Sequence, residues 1–548
     1  MEIPLQAGLG IGKVDSLILI WPDNTYQQIS CKTNSIQQIN YRKGLPAFDY
    51  TRLSQHYKNP LPVMQFVSSV IGLDYKHIEN PFNEFDRELL IPHMVSREGP
   101  ALAVADINGD GKEDLFVGSS KGNKPAVYIQ NNFGKFERLN QPELDKDSVY
   151  EETDAIWVDV NNDKNLDLVI ADGGNEYYGN SEYLSPRVFI NDGKGNLKKQ
   201  TTSFSNLFVN ASCVAANDIN GDGFPDLFIG ARTVSFAYGE QPKSYLLLND
   251  GKGNFSDVTE KYSKELKQSG MVTGACWSDL NQDGKNDLLL SSEWGNITAF
   301  VYNNGKFLKK EISSQKGWWN FVKTVDVDGD GDLDIVAGNL GLNSRLKASV
   351  DEPVKMYYND FDNNETKEQI LTYYVQHKEI PFANRDELMR QMPPFKKKYL
   401  YAEDLAKASI DDIIGIEKMN SSVIYTATEF SSMIFINDGK MNFTEKSLPW
   451  QAQLTPMRDA IVTDINHDQL PDLICVGNYY ENNIEMGRYD ADYGTVLINK
   501  GKGEFVASNL NGVVLKGESR HIAPINIFGY NKGFVVAMNN DSLRVVEW

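Results

Sequence analysis

Along most of the chain, apolar residues come in runs of four to eight, bounded by Asp, Asn and Gly. Runs of that length with such boundaries read as β-strands. One phrase recurs: an apolar run, then Asp-x-Asn/Asp-x-Asp-x-x-x-Asp, then a second apolar run. Its copies are DINGDGKED from Asp106, DVNNDKNLD from Asp159, DINGDGFPD from Asp218, DLNQDGKND from Asp279, DVDGDGDLD from Asp326 and DINHDQLPD from Asp464. Successive starts differ by 53, 59, 61, 47 and 138 residues. In the third copy SCVAAND precedes the Asp loop and DLFIGAR follows it. SYLLLNDGKGNFSDVT then reads as a hairpin whose Asn-Asp-Gly-Lys-Gly-Asn centre accepts positive φ. The same hairpin recurs as FINDGKGNLKK, FINDGKMNFTEK and LINKGKGEFVA. Each unit is thus four short antiparallel strands, A to D, and such a repeat predicts a β-propeller.

The fold class expected is all-β: a seven- or eight-bladed propeller of four-stranded antiparallel blades, with a short helical insertion and a small N-terminal β segment. The 138-residue gap holds either two units or one unit plus an insertion. Six motif-bearing units, one unit without the motif before Trp450, and a closing blade make up the count. The C-terminal text HIAPINIFGYNKGFVVAMNNDSLRVVEW offers three strands, and Met64 to Val70 supplies a fourth, outer strand. That closure removes open sheet edges. The only helical text, PFANRDELMRQMPPFKKKYLYAEDLAKASIDDIIG, spaces Leu388, Met392, Leu405, Ile410 and Ile413 nearly helically. Pro393 and Pro394 break it into two helices. Lys396 to Lys398 form a basic island there, either a solvated helix end or a docking element. The expected divisions are residues 1–45, residues 46–548, and a helical insertion over 380–415.

Charge narrows the function. Of 548 residues, 75 are acidic and 54 basic, a net charge of −21. That argues against a nucleic-acid-binding body, whose footprint is basic. No apolar run reaches the roughly 18 residues of a spanning helix. Cys31, Cys213, Cys276 and Cys475 sit in strand-like text without a C-x-x-C pair, so buried thiols are expected. The N-terminus carries Glu2 and Asp15 where a secretion signal would be basic and then apolar. Either the protein is cytoplasmic or the native start lies upstream.

The loops carry the strongest chemistry. Asp at positions 1, 5 and 9, with Asn or Asp at 3, gathers oxygen side chains around one point, and the carbonyl of residue 7 and water complete six or seven ligands. That set suits Ca²⁺. The expected ligands are Asp106, Asn108, Asp110, Lys112 and Asp114; Asp159, Asn161, Asp163, Asn165 and Asp167; Asp218, Asn220, Asp222, Phe224 and Asp226. The later loops add Asp279, Asn281, Asp283, Lys285 and Asp287; Asp326, Asp328, Asp330, Asp332 and Asp334; Asp464, Asn466, Asp468, Leu470 and Asp472. Lys112, Asn165, Phe224, Lys285, Asp332 and Leu470 enter through their carbonyls. An EF-hand would need Glu at position 12, which here is Val117, Ile170, Ile229, Leu290, Ala337 or Cys475. A seventh phrase supplies Asp360, Asp362, Asn364 and Glu368 at the same spacing but an irregular place. Six calcium ions would shift −21 to −9. Oxygen cages of this kind serve best where calcium is about millimolar, outside the cytoplasm.

These units resemble the FG-GAP/VCBS repeats of integrin α-chain propellers, over roughly residues 90 to 548. The opening text, GLGIGKVDSLILIWPDNTYQQISCKTNSIQQINYRKG, resembles the ASPIC/UnbV segment of the cartilage acidic protein-like family, cut at its N-terminal side. The resemblance implies an exported or surface protein that binds partners, in the cell envelope or beyond, whose export signal is missing from this chain. It implies no settled activity.

In a propeller the A–B and C–D turns share one face, and the B–C and D–A connections the other. The second face carries the richer text, with Tyr177, Tyr178, Arg232, Trp294, Trp318, Trp319, Asn343, Arg345, Tyr479 and Arg488 as candidate ligand-binding residues. Aromatics mixed with Arg and Asn suit a protein or glycan ligand. The plainer alternative is that the rings pack between blades and the arginines pair with nearby acids. The competing function is a carbohydrate-active enzyme, a lyase or dehydratase, using Tyr177, Arg488 and His521 at the mouth. No nucleophile elbow, phosphate loop or zinc signature accompanies them. A purely structural envelope protein is a third reading.

Overall fold

The computed structural model describes residue 14 and residues 16–30, 32–51, 61–529 and 532–548. The chain divides into two compact units, Met1–Pro60 and Leu61–Trp548. In the first, Leu17–Ile20 pairs antiparallel with Tyr26–Ile29. Asn24 turns the hairpin at φ 63°, and Asp23 accepts from Thr25 and Tyr41. Ala47 bridges Thr25, and Phe48 N–H donates to Asn24. These bonds carry the unit past residue 45, so the division falls at 60/61. Cys31 lies outside the described residues.

The second unit is a seven-bladed propeller. Four strands in order A-B-C-D build each blade. Blade one is Leu102–Ala105, Asp114–Val117, Ala126–Gln130 and Phe136–Arg138; blade three is Asn210–Asn217, Asp226–Thr233, Tyr245–Asn249 and Phe255–Asp257. The innermost strands contact one another in sequence, and that of the seventh blade, Glu518–Asn526, contacts that of the first. The ring is therefore closed. Its last blade takes Lys532–Asn539 and Arg544–Glu547 from the end of the chain and Gln65–Phe66 as its outer strand.

The 138-residue gap resolves as one blade split by an insertion, which makes seven blades and not eight. Blade five takes Phe321–Val325 and Asp334–Gly338 from one side of the insertion, and Met433–Asn437 and Phe443–Ser447 from the other. The text before Trp450 is thus the second half of the Asp326 unit. Between the halves stands a separate four-stranded sheet: Lys378–Pro381, Glu368–Val375, Val354–Asn359 and Val423–Ala427. Five short helices accompany it: Arg385–Gln391, Phe395–Lys398, Ala402–Lys407, Ile410–Ile414 and Ile416–Ser421. Leu388, Met392, Ile410 and Ile413 pack against Tyr357 and Ile370 of the sheet and Phe361 of its Asp360 loop, while Leu405 is partly buried beside them. Two helices were expected, and Pro393 and Pro394 do separate the first two. A further break comes at Gly415 (φ 88°).

Apolar cores lie between successive blades, as in Val169, Val188, Val214, Ile229 and Leu247. Cys213 and Cys475 are buried and Cys276 partly so, all free thiols. Burial pushes the Cys213 and Cys276 thiols up to about 12. Among the described residues, no helix is long and apolar enough to cross a membrane.

Candidate functional site

The Asp loops form one face of the ring, and their shape follows from the residues. In blade three, Asp218 accepts from Gly221, Asp222 and Gly223 N–H, and Asn220 accepts from Asp222 N–H. Positions 4 and 6 are left-handed in every loop. Where glycine is missing, Lys164 (φ 74°) and Gln469 (φ 70°) hold the same turn. Position 9 reaches furthest: Asp226 accepts from Ile219 N–H at 3.0 Å within its loop and from Asn249 N–H at 2.9 Å on the C strand. Asp114, Asp167, Asp287, Asp334 and Asp472 repeat both bonds. Burial, together with the neighbouring loop aspartates, pushes Asp114, Asp167, Asp226, Asp287 and Asp334 up to about 6. Asp472 moves the same way.

Two loops stand apart. Asp326, Asp328 and Asp334 offer carboxylate oxygens all within 4.8 Å of one another, as do Asp360, Asp362 and Glu368. Both have Asp at position 3. Asp328 Oδ1, Asp362 Oδ1 and Glu368 Oε1 are buried there without a hydrogen-bond partner. Burial raises Glu368 to about 7. Crowded, unpartnered carboxylate oxygens fit a hard cation. Position 3 is Asn in the other five loops. In blades two, three and six its amide donates to the position 5 carboxylate, as Asn220 does to Asp222 at 2.8 Å. In blade one, Lys112 Nζ lies 2.6 Å from Asp110. The Asp360 loop joins Val354–Asn359 to Glu368–Val375 of the inserted sheet, which explains its irregular place, and Asn363 and Glu365 give it the same two left-handed positions.

A set of side chains that the sequence reading passed over ties loop to loop. Asn249 Nδ2 donates to Val160 O of the preceding blade's Asp loop and to Pro225 O of its own. Asn191, Asn437 and Asn499 do the same, and Gln130 reaches Asn526 O of blade seven. Each sits at the head of the hairpin phrase, where it reads as ordinary turn text. Blade four has Tyr302 at that place.

The opposite face is occupied. Trp294, Trp318 and Tyr479 are 3–4% exposed and share one core with Val354, Met356 and Leu371 of the inserted sheet. Trp319 is fully buried between blades four and five, 5.9 Å from Phe435. Arg232 is buried too, 2.6 Å from Glu293 and 3.2 Å from Glu98. The packing alternative therefore accounts for these five. Trp294, Trp318 and Tyr479 form the floor on which the insertion rests. Around them Arg458 pairs with Glu98, and His93 with Glu293 at 3.2 Å. Burial opposes the charge on Glu98, but Arg458 and Arg232 overcome it and hold the carboxyl down at about 2. A cavity of about 30 Å³ remains beside Trp318 and Tyr479, and one of about 180 Å³ runs along the innermost strands past Asp154, Asp459 and His521.

The other candidates stay outside. Asn343 donates to Leu454 O. Arg345 is exposed, 3.2 Å from Glu485 and 2.9 Å from Tyr373 Oη. Arg488 lies 4.9 Å over the Tyr480 ring. Tyr177 sits under Lys121 and donates to Val149 O. Neither Tyr177 nor Arg488 lines the channel that holds His521, so the three are not assembled into one acid–base site. Tyr178 is exposed and stacks on Phe236 at a cleft that also involves Arg87. Arg87 carried no sequence signal.

Residues 106–170, 159–229 and 279–337 match the FG-GAP-like repeat. Those stretches are similar to FG-GAP-like repeats, and they lie within the β-propeller. The matched stretches start on Asp loops and end in B strands, so the FG-GAP repeat spans the blade joints and not the blades. Cartilage acidic protein 1 of Xenopus tropicalis is 23% identical over 263 residues, 44% of this chain and 40% of that protein. Among solved structures, an Agrocybe aegerita lectin described as recognising non-reducing terminal N-acetylglucosamine is 13% identical, with TM-score 0.40, over 83% of this chain and 92% of its own. The Dos1 propeller is 10% identical, with TM-score 0.36, over 88% and 96%.

Proposed function

We propose that this FG-GAP propeller is an extracytoplasmic interaction module, its ring stiffened by Ca²⁺ in the A–B loops and its opposite face offered to a protein or glycan. The observation that carries the calcium reading is the trio of buried, unpartnered oxygens, Asp328 Oδ1, Asp362 Oδ1 and Glu368 Oε1, each within a three-carboxylate cluster. Those two loops are the strongest sites in this reading, and the five Asn-bearing loops are weaker ones. Cages of this type fill at the roughly millimolar calcium found outside cells. The FG-GAP-like repeats and a relative named for cartilage agree with that location. In the same reading residues 1–45 are an ASPIC/UnbV-like segment.

Calorimetric titration of the chelator-stripped protein with CaCl₂, paired with thermal melts, tests it. At a Kd of about 10⁻⁴ M, 1 mM Ca²⁺ is about ten times Kd and stabilises by about 1.4 kcal/mol per site, so several sites together should raise Tm by several degrees. Asp328→Ala should remove one strong binding event. A melting curve indifferent to both calcium and chelator would sink the reading.

A further inference from the structure

Beside the inserted sheet, the B–C connections of blades two and three border a cleft of about 480 Å³ whose lining includes Arg87, Glu88, Tyr178, Phe236, Lys367 and Gln391, the Glu88 carboxylate being taken up by Tyr238 N–H, Asn175 Nδ2 and Gln369 Nε2. Ligand clefts commonly span about 300–1,000 Å³. Tyr178 stacks on Phe236 with ring centroids 3.9 Å apart, yet stays 66% exposed, so its outer ring face is open. Phe236 holds a left-handed φ of 58°, unusual for a bulky residue and a form of strain that gathers at ligand sites. Its N–H donates to Asn175 Oδ1 at 2.6 Å, which fixes the ring in place. Arg87 lies 4.5 Å from the Phe236 ring centre and donates to Tyr178 Oη at 3.1 Å. Among the described residues it has no ion pair, in a chain with 75 acidic groups. Lys367 is engaged by Glu240 at 2.9 Å. Gln391 Oε1 is buried without a donor.

A flat open ring face, an unpaired planar cation and an acceptor awaiting a proton donor describe one kind of ligand. We propose that this cleft binds an acidic saccharide: a uronate ring stacks on Tyr178, its carboxylate meets Arg87, and a hydroxyl donates to Gln391 Oε1. Guanidinium is matched to carboxylate by its fork of donors. A Glu or Asp side chain would satisfy Arg87 but offers no flat ring to Tyr178, so a saccharide uses more of the site than an acidic peptide. The proposal rests on the reading of this face as a ligand face.

The test is calorimetry in millimolar Ca²⁺ with trigalacturonate, trimannuronate and triglucuronate, their methyl esters, and triglutamate. At least one acid trisaccharide should bind saturably, at least tenfold tighter than its ester and than triglutamate. Arg87→Ala and Tyr178→Ala should each lose tenfold or more. Tyr178→Phe keeps the stacking face and should bind within a few-fold of the wild type, as should Lys198→Ala on the exposed outer strand of blade two. Variants are compared only if their Tm matches the wild type; Arg87→Lys, which keeps charge and loses the fork, then stands in for Arg87→Ala and should still lose severalfold. No uptake of any acid sugar, equal binding of ester or triglutamate, or binding unaffected at Arg87 would each overturn the assignment. Calcium-dependent melting that persists alongside such a result would sink the cleft alone and leave the module reading in place.

Discussion

His77 shows how much a single buried ring can set. It is 1% exposed, and its Nδ1 accepts from Asn540 N–H at 3.1 Å, which places its proton on Nε2. Burial first, then the nearby Arg520 charge, pushes its pKa from 6.5 down to about 3. The unfolded chain therefore takes up a proton below pH 6.5 that the folded chain refuses, and stability falls as pH drops through that value. By pH 5.5 the loss from this residue is about 1.4 kcal/mol. His77→Gln keeps an acceptor for Asn540 and should flatten the fall in Tm between pH 7 and 5.5 relative to wild type. An unchanged slope would show that His77 is not the group responsible. Glu84 acts in the opposite sense: burial and the Glu88 charge raise it to about 8, so its contribution is present at acid pH and is lost as pH rises. The comparison of variant with wild type is what isolates His77.

At the scale of elements, the joints between blades depend on the Asn clamps as much as on apolar packing. Asn249→Ala would strip donors from Val160 O and Pro225 O and the acceptor from Gly251 and Gly253 N–H. Leaving buried groups unpaired costs about 1–3 kcal/mol each when water cannot reach them. A net loss of about 2–4 kcal/mol is expected in urea titrations; less than 1 kcal/mol would mean that water replaces the clamp. The Asp loops and hairpins were legible in the sequence because each is local, a fixed spacing of Asp, Asn and Gly inside one turn. The clamp was not, because Asn249 looks like any hairpin residue until Val160, 89 positions earlier, is placed beside it. The inserted sheet was hidden for a related reason. VKMYYND and EQILTYYV read as ordinary blade strands, and the Asp360 loop repeats the blade motif, so nothing local separates an added sheet from an eighth blade. Burial of Trp294 and Trp318 depends on that same distant sheet, which explains why they read as surface candidates.

For the whole molecule, the insertion acts as a cover over the mouth. Replacing residues 351–427 with a short Gly-Ser linker should leave the seven-bladed ring folded, since blade five keeps all its strands. It should also uncover Tyr238, Trp294 and Trp318. Raised dye binding to exposed apolar surface, with an unchanged far-ultraviolet β signal, is the expected outcome. Loss of the β signal would instead make the insertion part of the folding core.

The strand Gln65–Phe66 pairs with Val546 and Glu547, nearly the full length of the propeller away. A ribosome releases residue 65 long before residue 547 has been joined to the growing polypeptide. Throughout that interval the nascent protein exposes an unfinished sheet edge, the kind that seeds aggregation. Ring closure therefore waits until residues 544–547 have been added, however early the first six blades take shape.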